Sequence, residues 1–380
     1  MNWTEVRNEF PIAEHWAYFD HAAVSPIPRA AIAALTEYGN RIAAGGLADI
    51  HFWVNRVQHV RELAAKLVNA PSADDICFVP NTTTAIGWIA EGFPWKPGEN
   101  VVLAAEEYPS NQYPWLSVAA ARGIEVRRVP SRGNAVHIDD VRAAIDGRTR
   151  VLSTSFVQFA SGFRANLDDL GMLANERNLF FFVDAIQGLG AFPVDVRSTP
   201  IDMLAADGHK WLLAPEGAGF AYIRREWIDR LHPFGIGAHS VNDPFNYGVI
   251  DLQLKPHAGR YEGGALNLPG LTALGASLEL LLKLGTANVA ARILELTDDL
   301  CERAPSAGLE VFSHRAEPGT KSGIVALTKP GVDPKLIQAK CREAGVIVNV
   351  RVGRIRVSPH CYSTEAEVTR LLDVAREVRS

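Results

Sequence analysis

Short, densely apolar runs recur through the first two thirds of the chain and alternate with longer amphipathic stretches. Residues 76–79, 101–104, 151–157, 179–183 and 203–206 read as strands. One of them, Leu179-Phe180-Phe181-Phe182-Val183, is apolar throughout, as expected of a strand covered on both faces. Residues 28–44, 54–69 and 85–91 read as helices. In the second, Val57, Val60, Leu63, Ala64 and Leu67 fall on one face. Strands and helices in alternation predict a parallel sheet wrapped by helices.

The pattern changes after Tyr261. Glu262-Gly263-Gly264 reads as a turn, and two long helices follow over 268–284 and 287–303. Strand (323–327), helix (334–344), strand (346–350), strand (354–358) and helix (365–379) complete the chain, the pattern of a small α+β unit. The expected division is a large domain over 16–262 and a small one made of 1–15 and 263–380.

A length of 380 residues agrees with two domains rather than one core. A hydrophobic share of 47% and a charged share of 21% place the chain among ordinary globular enzymes. The net charge of −5 gives no electrostatic case for nucleic acid or an anionic membrane as a partner. Cys77, Cys301, Cys341 and Cys361 are widely spaced, so neither a disulfide framework nor a zinc signature is expected, and a reducing cytoplasm is the default location. The first residues, MNWTEVRNEFPIAEHW, carry no apolar signal core.

Ligands of open α/β sheets bind beyond the carboxyl ends of the strands. Thr82, Thr83, Tyr108, Gln158, Asp184, Gln187 and Lys210 all fall at such ends. Asn81-Thr82-Thr83 lies between a strand and a helix, where helix N-terminal backbone N–H groups and the threonine hydroxyls suit an anion such as a phosphate, or where the residues simply cap that helix. Asp184 ends the all-apolar strand. A buried carboxylate there needs a cationic partner, and a protonated pyridinium nitrogen would be one; capping of the next helix is the plainer use. Lys210, in Asp207-Gly208-His209-Lys210-Trp211, has reason to be depressed in pKa and nucleophilic, unless its head reaches water. Tyr108 is either a stacking platform or a loop aromatic. Strand alternation sets Arg354 and Arg356 on one face, where Arg356 can hold a carboxylate bidentately or lie solvated. Together, a lysine for a Schiff base, an acid for the ring nitrogen and a polar group for the ring hydroxyl are what pyridoxal 5′-phosphate (PLP) requires.

From Tyr18-Phe19-Asp20-His21-Ala22-Ala23 to Arg356-Val357-Ser358-Pro359-His360-Cys361-Tyr362-Ser363-Thr364 the chain resembles the class V aminotransferase family of fold-type I PLP enzymes. That family includes cysteine desulfurases, selenocysteine lyases, kynureninases and isopenicillin N epimerase-like proteins. Glu107-Tyr108-Pro109-Ser110-Asn111, Asp207-Gly208-His209-Lys210-Trp211 and Arg356-Val357-Ser358-Pro359-His360 are most similar in wording to the epimerase-like branch. The resemblance implies an α/β fold with a mostly parallel seven-stranded sheet, a small C-terminal α+β domain and a homodimer with shared active sites. It implies that Lys210 carries PLP, Asp184 contacts the ring nitrogen, and Gln187 and Gln158 reach the ring oxygen. Tyr108 would stack on the ring, Thr82, Thr83 and His209 would hold the phosphate with Asp207 beside it, and Arg356 and His21 would meet the substrate.

Three departures stand out. The loop that carries the nucleophilic cysteine of desulfurases is replaced by Val350-Arg351-Val352-Gly353-Arg354, short and free of cysteine, while Cys361 falls after Arg356. A persulfide-forming desulfurase is therefore disfavoured. Asp207 stands where many relatives have Ser, and would repel a phosphate unless it pairs with His209 or turns away. Gly264-Ala265 stands where relatives have the Gly-Thr lent to the partner's phosphate.

The implied activity is chemistry at Cα of a small L-amino acid, through an external aldimine and a Cα carbanion, ending in transamination or in C–S/β-elimination. Epimerisation is the alternative, set back because Tyr108 would cover one face of the ring. A partner-binding protein without catalysis is set against a near-complete cofactor set. A nucleotide enzyme is set against the lack of a GxxxxGK[ST] or a strand-linked GxGxxG.

Overall fold

The computed structural model describes residues 1–379. Seven strands form the large sheet. In spatial order they are Ile76–Val79, Gly219–Ile223, Met203–Ala206, Phe180–Asp184, Thr149–Ser155, Asn100–Ala104 and Glu125–Val129. Gly219–Ile223 runs antiparallel to both neighbours, and all other neighbouring pairs are parallel. This is the mostly parallel α/β sheet that the apolar runs predict.

Both faces of the sheet are covered, which explains the unbroken apolar strand. Phe180 and Phe182 enter one core with Val101, Leu103, Met203 and Trp115. Phe181 and Val183 enter the other with Leu152, Leu204 and Phe220. Alternate side chains of one strand thus serve two cores. The expected strands start or stop within two residues of the observed ones. Glu125–Val129 and Gly219–Ile223 were not expected: the first is an edge strand with exposed and half-buried charges, and the second follows a Gly-Pro-rich turn.

The helix after Asn81 begins at Thr82 rather than Ala85. Asn81 caps it, accepting the Thr84 amide at 2.9 Å. The cap and the anion site are therefore not alternatives: the cap takes the Thr84 amide, and the Thr82 and Thr83 amides, in the first turn, have no intrahelical acceptor.

The small sheet is antiparallel, in the order Asn349–Arg351, Arg354–Val357, Val325–Thr328, Glu310–Val311, with its own core of Leu300, Val325, Leu327, Ile337, Ile355, Val357 and Leu371. The N-terminal segment is stitched to this unit: Ala17–Tyr18 pairs with Val346–Ile347, and Asp20 bridges to Ser358. The helix Leu268–Leu284, placed by its sequence with the small unit, buries Leu271, Leu274, Leu278 and Leu281 in the large sheet's core, against the helices Arg29–Gly45 and Ile50–Leu67. No single helix among the described residues is long and apolar enough to cross a membrane.

Candidate active site

The carboxyl ends of the parallel strands deliver the predicted residues to one end of the sheet. Ala206 leads into Asp207–Lys210, Asp184 ends its own strand, and Thr82–Thr83 follow Val79 by a short turn. Gly208 is required by crowding: a Cβ there would lie 2.2 Å from the Ala218 carbonyl oxygen. The turn closes with the Ala214 amide donating to Gly208 O at 2.9 Å and the Leu213 amide to Lys210 O at 3.0 Å. Trp211, buried behind it, donates to Gln187 Oε1 at 3.0 Å.

Lys210 is buried. Burial holds its ammonium below its ordinary pKa; the Asp184 charge opposes that, and the Arg356 and Arg351 charges add to it. The Nζ atom lies 5.6 Å from the centre of the Tyr108 ring. Tyr108 packs edge-on to Phe159 and is 44% exposed.

Asp184 is 3% exposed and accepts only the Ile186 amide, at 3.2 Å. Burial pushes its carboxyl above the usual range and the Glu107 charge pushes it further. It has no ion-pair partner among the described residues, and a protonated ring nitrogen would supply one.

Asp207 resolves its own difficulty by pairing with His209. His209 Nδ1–H donates to its Oδ2 at 2.8 Å, and the Gly208 amide donates to its Oδ1 at 2.7 Å. Both carboxylate oxygens are thus turned onto protein donors. The Asp207 amide in turn donates to Thr82 Oγ1 at 3.2 Å, locking the lysine turn to the helix start. The Ser25 amide donates to His209 O at 2.7 Å, while Ser25 Oγ is buried without a partner.

Gln158 donates through Nε2 to Glu107 Oε1 at 2.9 Å, and its Oε1 is buried and unpartnered. A carboxylate accepts only, so the Gln158 amide is oriented by Glu107. Glu107 also accepts the Ser155 amide (2.8 Å), the Ser155 hydroxyl and Asn111 Nδ2 (3.1 Å). Burial pushes its pKa up, against those hydrogen bonds. Glu107, Asn111 and Ser155 were not singled out from the sequence, although Glu107 and Asn111 bound the Glu107–Asn111 loop motif. Gln187 spends Nε2 on Ala22 O at 2.9 Å, which leaves one amide hydrogen for a ring oxygen.

Arg356 is 2% exposed. It donates through Nη2 to Asp20 Oδ1 at 3.1 Å and through Nη1 to Phe159 O at 3.2 Å, and its Nε is buried without a partner. Asp20, also missed from sequence, accepts Asn349 Nδ2 at 2.6 Å as well. His21 corrects an expectation. It is fully buried, Nδ1–H donates to Ser358 O at 2.9 Å, and Nε2 accepts the Tyr362 hydroxyl at 2.7 Å. With both ring nitrogens spent inside the protein, His21 holds the N-terminal segment onto the Ser358 strand end and has nothing left for a substrate.

The donor set fits PLP. An unpaired buried acid, a depressed lysine, the free amides of a helix start and orphaned polar atoms on Gln158 and Arg356 match a protonated ring nitrogen, an aldehyde, a phosphate and the polar groups of a bound amino acid.

The class-V aminotransferase family model matches residues 17–371. A probable cysteine desulfurase of Methanothermobacter thermautotrophicus is 29% identical, over 100% of this chain and 98% of that one. The fold is shared with the apo cysteine desulfurase of Thermococcus onnurineus NA1 (TM-score 0.90, 24% identity, 98% and 97% of the two chains). It is shared equally with the cystine C–S lyase C-DES solved with its product, cysteine persulfide (TM-score 0.90, 20% identity, 97% and 99%). The relatives named give no support to epimerisation, nor do they confirm the case against a desulfurase. What the turn at Lys210 and the match along the sequence agree on is membership of the class V aminotransferase family, and with it a PLP-dependent enzyme.

Proposed function

We propose that the enzyme is a C–S lyase that eliminates the β-thio substituent of a small L-amino acid without an enzyme thiol. The observation that carries this reading is the placement of the cysteines. Where desulfurases have a cysteine loop, Asn349–Arg351 and Arg354–Val357 form a tight hairpin across Val352 and Gly353, both at positive φ (48° and 71°) as in a type I′ turn. Cys77, Cys341 and Cys361 are buried and Cys301 is half-buried. Burial pushes Cys361 up to about 12. A leaving thiolate therefore meets no nucleophilic sulfur and departs free.

In this reading PLP held at Lys210 would supply an electron sink at Cα. The chain does the rest. The Thr82 and Thr83 amides and His209 hold the phosphate, and Asp207 fixes the His209 ring. Asp184 keeps the ring nitrogen protonated, and Gln187 and Gln158 face the ring oxygen. Arg356, steadied by Asp20, grips the α-carboxylate. Lys210 Nζ is the base placed to receive the Cα proton. Loss of the β-thiolate then yields pyruvate and ammonia after hydrolysis. Two copies are proposed to assemble, because apolar side chains crowd two exposed stretches: Leu47, Ile50 and Val54 on one, Phe245, Val249 and Ile250 on the other. Four unpaired cysteines suit a reducing cytoplasm.

Incubation with L-cysteine and with L-cystine, with and without a 2-oxo acid, tests the reaction. Pyruvate released with sulfide or persulfide in the absence of a 2-oxo acid is expected. L-alanine as the carbon product would instead indicate a desulfurase, and product only with the 2-oxo acid an aminotransferase; either contradicts the proposal.

A further inference from the structure

The hairpin that carries Arg356 holds a second cation beside the cleft. Asn349 lies opposite Arg356 and Arg351 opposite Arg354. Opposed residues, and alternate residues along a strand, share a face. Asn349, Arg351, Arg354 and Arg356 therefore project together, while Ile355 and Val357 enter the small domain's core.

The three arginines are used differently. Arg354 lies over the Phe312 ring at 3.4 Å. Arg356 is paired with Asp20. Arg351 is half-buried and donates only through Nη1, to Asn349 Oδ1 at 2.7 Å and Val350 O at 3.0 Å. Its Nε–H and both Nη2–H groups have no acceptor among the described residues, and no carboxylate neutralises it. Asn349 joins it to the site, accepting from Arg351 on one side and donating to Asp20 on the other. The Arg351 charge acts in one direction on Asp20, Arg356 and Lys210, in keeping with that link through Asn349. A guanidinium on a half-buried residue, with one nitrogen fixed and the others free, is a preorganised anion site.

We propose that Arg351 is a specificity-determining residue that takes an anionic group on the substrate side chain. The enzyme would then prefer amino acids whose β-thio substituent ends in a carboxylate or a sulfur oxyanion. Alternate residues on a strand are about 7 Å apart. Asn349 marks the level of Arg356, so Arg351 and Arg356 are one alternate position apart on the same face, the arrangement that a substrate with an anion at each end would need. The inference rests on the proposed reading of the site as one for amino acids.

The test compares S-carboxymethyl-L-cysteine with uncharged S-ethyl-L-cysteine. Binding to the PLP-loaded enzyme is followed by the change in cofactor absorbance, and turnover by kcat and KM. Wild type should bind the anionic compound at least tenfold more tightly. In Arg351→Gln that preference should fall by about ten- to hundredfold, through KM rather than kcat, with S-ethyl-L-cysteine binding changed less than about twofold; Arg351→Lys should keep part of it. An unchanged preference in Arg351→Gln, or a wild-type preference for the uncharged compound, overturns the role of Arg351 while leaving the amino-acid site standing. No absorbance change with either compound overturns the amino-acid site, and this inference with it.

Discussion

At the scale of single residues, burial decides which side chains serve chemistry and which serve the fold. Lys210, Asp184 and Arg356 are buried yet each retains an atom or a charge that the protein does not satisfy. His21 is buried and satisfied. Burial lowers its pKa from 6.5 to about 4. A histidine whose folded pKa is depressed stabilises the protein fully above its unfolded value, and that contribution is lost as the pH falls toward the folded value. His21 should thus cost the fold about 2–3 kcal/mol between neutral pH and about pH 4.5. The urea midpoint of wild type should drop over that range more steeply than that of His21→Gln; parallel curves would remove His21 as the cause. Lys210, Asp184 and the helix-start threonines could be read from the sequence because each has a local signature: a strand end, an apolar run before it, a turn after it. Asp20 and Glu107 could not, since their roles are set by partners far along the chain: Arg356 for Asp20, Ser155 and Gln158 for Glu107.

Elements were legible where one physical demand dominated. The all-apolar strand at Phe180–Asp184 and the helix Leu268–Leu284 are long or dense enough that burial alone fixes them. The start of the helix at Thr82 was misjudged because three consecutive threonines look like loop, whereas Asn81 already caps the first turn. Residues 346–350 read as one strand, but the chain divides them between two sheets: Val346–Ile347 joins Ala17–Tyr18, and Asn349–Arg351 joins the hairpin. Nothing in a local pattern announces that switch, and it is this second pairing that turns Asn349 and Arg351 toward the site.

For the whole molecule, the alternation of strands and helices was enough to predict a parallel sheet, though not two of its seven strands, Glu125–Val129 and Gly219–Ile223. The allocation of the helix Leu268–Leu284 was not, because its partners are the helices Arg29–Gly45 and Ile50–Leu67, more than two hundred residues earlier. Leu47, in the turn Gly46–Asp49 between those two helices, is 81% exposed, and Ile250 in a distant loop is 97% exposed. Large exposed apolar side chains of this kind fit the proposed assembly of two copies. Sedimentation should show a dimer, and Leu47→Glu with Ile50→Glu should shift it toward monomer and lower turnover. A fully active monomeric wild type would contradict the assembly.

The central claim is that Lys210 carries the cofactor in this site. Borohydride reduction of the PLP-loaded protein, followed by peptide mapping, tests it most directly. The protein should be yellow and lose its colour on reduction, with one pyridoxyl group on the peptide containing Gly208-His209-Lys210-Trp211. A colourless protein that takes up no PLP, or a label fixed to any other lysine, would contradict it.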